Sequence, residues 1–459
     1  MTKPLPKGQK TEPWEHQREA GRFAYRRDGT LLAMDMGTGK SLTAILLAHA
    51  WGCRRILITC PLSVVGVWPR EFREHSDLYW EVARCDKRGV ESKEAKADGA
   101  LALARALGKP YVCVVNHETL WREPFASFVK RTKWDLLIVD ECHRAKMPGG
   151  KLSRFLYQIS NLFPRRLGLT GTPLPHSPMD LYAQARFLDR SVSGKTFVQF
   201  RNRYALMGGY ERREVVGFQR TGEFSEKFHT LAFEKKKEDC LDLPEEIDET
   251  RLCVLEPKAR KAYRQLETRF WAEVEGGEVT VANALVKLLR LQQMTSGDLP
   301  LDDGTLEEIS QAKSKLLADT LEDISKPVVV VCRFHADLDR VKYISGVLGK
   351  TYAEVSGRLK DGLDDDARMV SGIDVLGAQI QAGGLGIDLT RSALAILYSV
   401  GFSLGDYKQV RARLHRPGQR SNVTFLHLVV EDSIDEVVLH ALRRREQVIE
   451  TILKKGRRE

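Results

Sequence analysis

The stretch that decides the fold is residues 31–41, which reads LLAMDMGTGKS. Its first four residues are apolar and predict a buried strand, and the residues that follow the stretch have the amphipathic pattern of a helix. Gly37 and Gly39 allow the connecting backbone to curl so that its amide hydrogens point inward, at a helix N-terminus that favours an anion. A glycine turn that ends in Lys40-Ser41 between a strand and a helix predicts a phosphate-binding loop, although position 34, usually glycine in such loops, holds methionine here.

The residue types of this loop suit a nucleotide. The residues expected to surround its phosphates are Met36, Gly37, Thr38 and Gly39. Lys40 would reach the outer phosphates, and the hydroxyl of Ser41 would hold a magnesium ion. The alternative is a chance glycine turn without a ligand, which the flanking strand and helix disfavour.

Two carboxylates follow a second apolar run further along the chain. Residues 136–139 predict a buried strand, and Asp140 and Glu141 stand directly after it. Ligand sites of parallel sheets lie at such strand ends. We expect Asp140 to hold magnesium through water, and Glu141 to orient and deprotonate an attacking water. A solvated strand end is the alternative, and the upstream loop favours the catalytic interpretation.

A third feature is the basic stretch 409–419, which reads QVRARLHRPGQ. If residues 409–416 are helical, Gln409, Arg413 and Arg416 share one helix face. Two fixed guanidinium groups can stabilise charge that develops on a transferring γ-phosphate. The alternative is a basic helix on the solvent surface. Because the arginines and the phosphate loop fall in different halves of the chain, we expect hydrolysis to depend on closure of two lobes.

Short apolar runs alternate with longer amphipathic stretches, which predicts parallel sheets covered by helices on both faces. The predicted strands are 31–34, 55–59, 111–115, 136–139 and 167–169 in the first half, and 327–332, 352–355, 375–380, 393–400 and 423–429 in the second. We therefore expect two α/β lobes, 1–240 and 241–459. Each carries a predicted insertion, of helix and loop at about 177–237 and of helix at about 257–300.

The composition excludes several classes of protein. The chain has 459 residues, and 72 lysines and arginines against 62 acids give a net charge of +10. This excess favours a polyanionic partner such as nucleic acid. The eight cysteines form no CxxC pair, which argues against structural zinc and fits a reducing cytosol. No apolar run is long enough for a membrane span, and the first twenty residues lack the apolar core of a signal peptide.

Taken in order, these segments resemble the two-lobed motor core of helicase superfamily two, and within it the Swi/Snf-like DNA translocases. The resemblance covers about residues 12–442. The further motifs that carry it are Trp14-Glu15-His16-Gln17, Cys60-Pro61-Leu62-Ser63-Val64-Val65 with Trp68, Glu71 and Phe72, Leu169-Thr170-Gly171-Thr172-Pro173, and Ala382-Gly383-Gly384-Leu385-Gly386-Ile387-Asp388-Leu389. The resemblance implies an α/β fold of two RecA-like lobes with parallel sheets and helical insertions.

The resemblance also implies roles for individual residues. Gln17 would read the adenine of ATP, and Lys40, Ser41, Asp140 and Glu141 would form a hydrolytic centre with Mg²⁺. The residues implied in the second lobe are Arg413 and Arg416 as arginine fingers, with Gln409 and Gln419 close to the nucleotide. The residues implied to couple nucleotide state to DNA are Thr170 and Thr172. The residues implied to line a DNA backbone track are Pro61, Ser63, Asn116, His117, Gly383 and Gly384, for which ordinary turn and capping chemistry is the alternative.

The sequence departs from the family pattern in two places. Cys142 stands where relatives commonly have alanine or glycine, and Asp388 stands where asparagine is more usual. Residues 356–373 are short and acidic, so we expect a trimmed second lobe. Neither half has room for the reader or histone-binding modules of large remodellers, so we expect a compact bacterial or phage motor that works in the cytoplasm rather than a nucleosome remodeller. A separate protein would recruit it to its site of action.

The function expected from the sequence is a DNA-stimulated ATPase that moves along duplex DNA through backbone contacts. One alternative is a strand-separating helicase that acts on DNA or RNA with the same catalytic residues. Another is a slow, ATP-gated DNA-binding assembly factor. A phosphate-loop kinase or GTPase is a weaker alternative, because it explains neither the second lobe nor the arginine pair.

Overall fold

The computed structural model describes residues 8–86, 89–208, 214–275, 281–301, 305–365, 367–380 and 387–454. The chain divides into two compact units. The first is Met1–Asp242 together with Arg445–Glu459, and the second is Leu243–Arg444. Among the described helices, none is both long and apolar enough to cross a membrane.

The first unit is built on a seven-stranded parallel sheet. The strands of this unit are β1 (Gly29–Met34), β2 (Arg55–Cys60), β3 (Glu81–Cys85), β4 (Tyr111–Asn116), β5 (Leu136–Asp140), β6 (Arg165–Thr170), β7 (Ala205–Gly208), β8 (Glu214–Phe218) and β9 (Ala232–Lys235). The sheet has the order β3-β4-β2-β5-β6-β1-β9, while β7 and β8 form a separate antiparallel pair.

Helices cover both faces of this sheet, and the helices of the first unit are α1 (Glu15–Tyr25), α2 (Lys40–Ala50), α3 (Trp68–His75), α4 (Val90–Ala106), α5 (His117–Leu120), α6 (Phe125–Arg131), α7 (Lys151–Ile159), α8 (Leu181–Leu188), α9 (Arg190–Ser193), α10 (Phe197–Tyr204) and α11 (Thr221–Leu231). Successive side chains of β4 enter opposite cores: Tyr111, Cys113 and Val115 lie in one, and Val112 and Val114 in the other. Because both faces are covered, the inner strands read as continuous apolar runs.

The register of the sheet brings three strand ends together. Thr170 at the end of β6 pairs with Ala33 of β1, and Asp140 at the end of β5 pairs with Leu169. All three strands are parallel, so their carboxyl ends meet at one edge of the sheet. The loop after β1 and the carboxylates after β5 therefore lie at the same edge.

The second unit has its own six-stranded parallel sheet. The strands of this unit are β10 (Glu246–Cys253), β11 (Asp298–Pro300), β12 (Leu306–Glu308), β13 (Val328–Cys332), β14 (Tyr352–Val355), β15 (Val375–Gln379), β16 (Leu394–Leu397) and β17 (Val423–Val430). The sheet has the order β10-β17-β16-β13-β15-β14, and β11 pairs with β12 in antiparallel fashion. The helices are α12 (Pro257–Glu275), α13 (Val281–Ser296), α14 (Ala312–Glu322), α15 (His335–Val347), α16 (Leu404–Leu414) and α17 (Ile434–Lys454), the last of which continues into residues of the first unit.

The predicted fold class is confirmed, because both units are parallel α/β sheets with helices. All ten predicted strands are present, with ends that differ by at most three residues. The prediction of only helix and loop over 177–237 is wrong, since β7, β8 and β9 lie there. The strands β3 and β10 were also not predicted. The strands β3, β9 and β10 are edge strands, which are only partly covered and need no continuous apolar run.

Candidate functional site: a nucleotide site at the edge of the first sheet

The loop between β1 and α2 has the geometry expected of a phosphate-binding loop. Gly37 and Gly39 have φ of 83° and 81°, in the left-handed region that favours glycine. The Thr38 hydroxyl donates to the Asp35 carbonyl at 2.6 Å. The Lys40 ammonium, on the first residue of α2, donates to the carbonyls of Met34 and Asp35 at 2.9 and 3.0 Å. The lysine thus lies over the loop at the amino end of the helix, where anions are favoured.

Gln17 of α1 holds this loop from outside. Its Nε2 donates to the Thr38 carbonyl at 3.0 Å, and its Oε1 accepts from the Trp14 amide at 2.9 Å. His16 Nε2 donates to the same Thr38 carbonyl at 2.8 Å. A Cβ at position 39 would lie 2.1 Å from Gln17 Nε2 and would displace the Gln17 amide, and the positive φ of Gly39 independently favours glycine. The part of His16 in fixing the loop was missed from the sequence, and adenine reading by Gln17 stays a prediction.

The two carboxylates at the end of β5 are held in a half-buried setting. The Asp140 carboxylate accepts from the Trp68 indole at 3.1 Å and from the Glu141 amide at 3.0 Å. Burial, and repulsion from Glu141, raise the pKa of Asp140, while the Trp68 hydrogen bond and the Lys40 charge oppose that rise. Two adjacent carboxylates resist being ionised together, and a bound cation would relieve that repulsion. The carboxylate oxygens and the Ser41 hydroxyl are the hard oxygen ligands that Mg²⁺ prefers.

Trp68 is a second site residue for which no individual role was predicted. It is the first residue of α3 and is almost fully buried. Its sequence motif, Trp68-x-x-Glu71-Phe72, was recognised only as part of the family pattern. The structure shows that this indole fixes the orientation of the Asp140 carboxylate.

A chain of polar contacts joins the end of β5 to the end of β6. His143 Nδ1 lies 3.3 Å from Glu141 Oε2 and 2.9 Å from Thr170 Oγ1. The Thr172 amide donates to Thr170 Oγ1 at 3.0 Å. The predicted coupling residues Thr170 and Thr172 are therefore linked to Glu141 through His143.

Cys142, the departure from the family pattern, is fully buried beside this chain of contacts. Its thiol donates to Gln184 Oε1 at 3.2 Å. Burial and the charges of Glu141 and Asp140 raise the pKa of Cys142 well above its usual range. The residue is therefore a neutral packing group.

Of the predicted DNA track, Pro61, Asn116 and His117 are buried and Ser63 is half-buried. Pro61 precedes a short 3₁₀ turn in which Ser63 is half-buried. Asn116 Oδ1 accepts from the buried Lys93 ammonium at 2.7 Å, and His117 Nδ1 lies 2.9 Å from Thr59 Oγ1. Because the side chains of Asn116 and His117 are turned inward, DNA contact through them requires a rearrangement.

The remaining two predicted track residues, Gly383 and Gly384, lie outside the described residues. Their contribution to DNA binding stays a prediction.

In the second unit, Gln409 and Arg413 stand four residues apart on α16, as predicted, but Arg416 does not share that helix. The helix ends at Leu414, and Arg416 lies in the following turn, where its Nη1 donates to the Ile387 carbonyl at 3.4 Å. The helix ends early because Pro417 disfavours helical backbone at the residue before it. The predicted common face is therefore wrong for Arg416.

Gln419 makes a dense set of backbone contacts. Its Nε2 donates to the carbonyls of Thr390, Ser392 and Leu414 at 3.2, 3.0 and 3.3 Å. Its Oε1 accepts from the amides of the next two residues at 2.9 and 3.1 Å. The amide thus fixes the turn after α16, while its predicted contact with nucleotide stays untested. Asp388, the second departure, accepts from the amide and hydroxyl of Thr390 at 2.9 and 2.7 Å and so closes a local turn.

A parallel α/β unit with a glycine loop, a lysine at the following helix and an acidic pair at the same edge defines a phosphate-loop nucleotide-binding protein. The family model for the SNF2-related domain matches residues 16–298, more than half of the chain. The protein belongs to the SNF2-related family, and the prediction of a superfamily-two core of this type is confirmed.

Two similar proteins come from a nematode and a yeast. A Caenorhabditis elegans homologue of SWI/SNF-related matrix-associated actin-dependent regulator of chromatin subfamily A-like protein 1 is 25% identical over 453 residues, which is 95% of this chain and 61% of that protein. The Saccharomyces cerevisiae DNA repair and recombination protein RDH54 is 23% identical over 481 residues, 90% of this chain and 48% of its own length. The chain thus spans about half to three-fifths of these relatives. The solved SWI2/SNF2 ATPase core of Sulfolobus solfataricus in complex with dsDNA aligns over 99% of this chain and 96% of that one, with 19% identity and a TM-score of 0.46.

Proposed function

We propose that the protein is a DNA-stimulated ATPase that converts ATP hydrolysis into movement along duplex DNA. The observation that carries this proposal is the shared sheet edge of the first unit. There the phosphate loop, the Asp140-Glu141 pair and Thr170 follow three parallel strands, and His143 connects Glu141 to Thr170. Glu141, the proposed catalytic base, is thereby linked to Thr170, the residue implied to couple nucleotide state to DNA. Such a link suits a motor in which ATP hydrolysis and DNA binding depend on each other.

In this proposal the loop residues bind the phosphates of ATP and Gln17 reads its adenine. Lys40 neutralises the outer phosphates, while Ser41 and Asp140 hold Mg²⁺. When bound, Mg²⁺ neutralises charge that develops on the phosphates. Glu141 orients the attacking water and accepts its proton.

The arginines of the second unit complete the proposed centre. Arg413 and Arg416 stabilise the charge of the transferring γ-phosphate, with Gln409 close by. Arg413 is on a helix and Arg416 on a turn, so the two guanidinium groups are positioned by different parts of the backbone. Loss of an arginine finger lowers turnover by a factor on the order of 10³ or more.

The proposed polymer is double-stranded DNA, bound through its backbone. The net charge of +10 and the name of the yeast relative, a DNA repair and recombination protein, support DNA as the partner. Pro61, Ser63, Gly383 and Gly384 are the proposed contacts. A separate recruiting protein would direct the motor to its site.

The compartment and origin are also part of the proposal. All eight cysteines are free, and six of them are buried, which fits a reducing cytoplasm. A bacterial or phage origin stays a prediction, since the relatives named above are from a nematode and a yeast.

The proposal is tested by ATP turnover in the presence of double-stranded DNA, single-stranded DNA and RNA at matched salt. We expect double-stranded DNA to stimulate the wild type most, and Lys40→Ala and Glu141→Gln to abolish turnover without loss of the thermal transition. Displacement of the third strand of a triplex, without separation of the duplex, would show movement along intact DNA. Full DNA-stimulated turnover by Glu141→Gln would refute the proposed centre.

The same measurements decide between the alternatives. Separation of a plain duplex would favour a helicase. Stimulation of turnover by DNA of less than about twofold, below the usual range of allosteric coupling, would favour an assembly factor.

A further inference from the structure

Arg411 of α16 is held by two carboxylates of β10. Its Nη2 donates to Glu246 Oε2 at 2.5 Å, and its Nη1 and Nη2 donate to the two carboxylate oxygens of Asp248 at 2.5 and 2.9 Å. The guanidinium also lies over the Phe425 ring, 4.1 Å from its centroid, and donates to the Tyr407 hydroxyl at 2.9 Å. The Arg411 side chain is only 14% exposed. The planar guanidinium of Arg411 is held at its edges by hydrogen bonds and at its face by an aromatic ring. These contacts fix the angle of α16 as well as its distance from β10.

One helical turn further on, His415 contacts the same strand. Its Nδ1 is within ion-pair distance of Glu246 Oε1, and its Nε2 donates to the Pro244 carbonyl at 2.6 Å. His427 of β17 lies 3.3 Å from Asp248 Oδ1 on the other side. We refer to Arg411, His415, Glu246 and Asp248 as the finger-helix clamp. These contacts lie entirely within the second unit.

The charges of the clamp are matched. Burial of Asp248 opposes its ionisation, but hydrogen bonds from His427 and Arg411 outweigh burial and lower the pKa of Asp248 well below its usual range. Burial likewise opposes the charge of Arg411, and Asp248, Tyr407 and Glu246 outweigh it and raise the pKa of Arg411. The carboxylate and the guanidinium are therefore ionised together, and removal of Arg411 leaves the partly buried Asp248 without its guanidinium partner.

The clamp holds one face of α16, and the proposed catalytic groups lie on a different face. Residues two apart on a helix point about 200° apart, so Arg411 and Arg413 face different directions. Gln409 is four residues before Arg413 and lies on the same face as Arg413. His415 is four residues after Arg411 and lies on the side of Arg411. β10 is also the first strand after the boundary between the units, which falls after Asp242. The strand that enters the second unit is therefore the one to which the helix of Arg413 is tied.

We propose that Arg411 is a positioning residue, which sets the orientation of α16 and through it the placement of Arg413 for hydrolysis. This inference rests on the proposed function, in which Arg413 acts on the γ-phosphate. Because the clamp ties α16 to β10, the placement of Arg413 depends on the position of β10. A movement of β10 would move α16, and Arg413 with it, through the contacts of Glu246 and Asp248 with Arg411. A simple structural role would instead stabilise the unit without selective effect on turnover.

The test uses the full chain and a double-mutant cycle between Arg411 and Arg413. Arg411→Met removes the charge while keeping much of the apolar stem, and Lys342→Met removes one positive charge from an exposed position of α15 as the matched control. We expect Arg411→Met to lower the DNA-stimulated kcat on the order of 10- to 100-fold, as misplacement of a catalytic group does. KM for ATP, affinity for DNA and the activity of Lys342→Met should stay within about twofold, because these do not depend on the placement of Arg413.

The decisive measurement is the effect of Arg411→Met on kcat in a chain that already carries Arg413→Ala. If Arg411 acts through Arg413, adding Arg411→Met to Arg413→Ala should lower kcat by less than about twofold further. Arg411→Lys, which can pair with one carboxylate but not fork between two, should give an intermediate kcat. If Arg411→Met loses the thermal transition, Asp248→Asn is compared instead, since it keeps the size and one acceptor oxygen of the clamp.

Each outcome separates the two proposals. Normal wild-type turnover with an unchanged kcat in Arg411→Met refutes the clamp alone. An equal further loss in the Arg413→Ala background also refutes it, because Arg411 would then act independently of Arg413. A wild-type chain without ATP turnover refutes the proposed function, and the clamp with it.

Discussion

His143 Nδ1 and Thr170 Oγ1 lie 2.9 Å apart, and this contact joins the ends of β5 and β6 at the edge where the phosphate loop also lies. Thr170 is fully buried and its hydroxyl also accepts from the Thr172 amide at 3.0 Å. The hydroxyl of Thr172, in contrast, is buried and has no hydrogen-bond partner among the described residues. The hydroxyl of Thr170 is therefore hydrogen-bonded, while that of Thr172, two positions further on, has no partner in the part of the chain that the structure describes.

This difference predicts that replacement of each threonine by valine changes the free energy of unfolding differently. Thr170→Val leaves His143 and the Thr172 amide without their shared partner, and we expect it to lower the free energy of unfolding by about 1–3 kcal/mol. Thr172→Val removes a buried polar group that has no partner, so its effect should be within about 0.5 kcal/mol or stabilising. Urea unfolding of both variants measures the difference, and an equal loss in the two would contradict it.

Thr170→Val should also weaken the coupling between DNA and hydrolysis. We expect the basal ATP turnover to remain while its stimulation by DNA falls by about fivefold or more, because the contact between the two strand ends is lost. The measurement is the ratio of turnover with and without double-stranded DNA, with Thr170→Ser, which keeps the hydroxyl, as the matched variant. An unchanged ratio would show that the hydroxyl of Thr170 serves only stability.

The fold was predictable where its signals are local. The loop 31–41 and the carboxylates after β5 each lie within one strand-to-turn segment, so periodicity and residue type were enough. The edge strands were not predictable in the same way. β10 carries Glu246 and Asp248, which alternate along the strand and are stabilised by ion pairs with Arg411. Its pairing partner β17 and the arginine that holds its carboxylates lie more than 150 residues away along the chain, and no apolar run marks the strand.

The same reason explains what was missed at the site. The contacts of Gln17 with Thr38, and of Trp68 with Asp140, connect residues 21 and 72 positions apart. Spacing along the chain contains no information on such pairs, because helix packing brings them together. The end of α16 is different: Pro417 was visible in the sequence and could have limited the predicted helix to the residues before Arg416.

Gln17→Ala should reduce the affinity for nucleotide whatever its base. The Gln17 amide holds the Thr38 carbonyl in the phosphate loop, and this contact does not involve the base. We expect KM to rise for both ATP and GTP, on the order of 5- to 10-fold for the loss of one buried hydrogen bond, and to rise further for ATP because Gln17 is also proposed to read its adenine. A rise confined to ATP would show that Gln17 acts on adenine alone, and a larger rise for ATP than for GTP would show that it does both.

Gln419→Ala should destabilise the second unit more than it affects nucleotide binding. The amide is buried and satisfies five backbone groups in the turn after α16. Its removal leaves carbonyls and amides without partners, so we expect the free energy of unfolding to fall by about 1–3 kcal/mol. KM for ATP should be unchanged at temperatures where the variant is folded. A higher KM in a variant of normal stability would instead support direct contact of Gln419 with nucleotide.

His117 predicts a dependence of stability on pH. The ring is almost fully buried, and burial together with the positive charge of Arg144 lowers its pKa from 6.5 to about 4. Between these values the unfolded chain binds a proton that the folded chain does not, so stability rises with pH in this window and falls as the pH is lowered through it. The loss of unfolding free energy from this residue should be about 2–3 kcal/mol between pH 7.5 and 4.5.

The matched variant for this measurement is His117→Gln, which keeps a polar group beside Thr59 but does not titrate in the window. Unfolding in urea at several pH values should show a steeper loss for the wild type than for the variant, with the two curves parallel above pH 7. If both lost stability equally toward pH 4.5, the ring would have to be accessible to protons in the folded state. Such a ring could also turn outward, and the predicted contact of His117 with the DNA backbone would gain support, because a protonated imidazole would then face the phosphates.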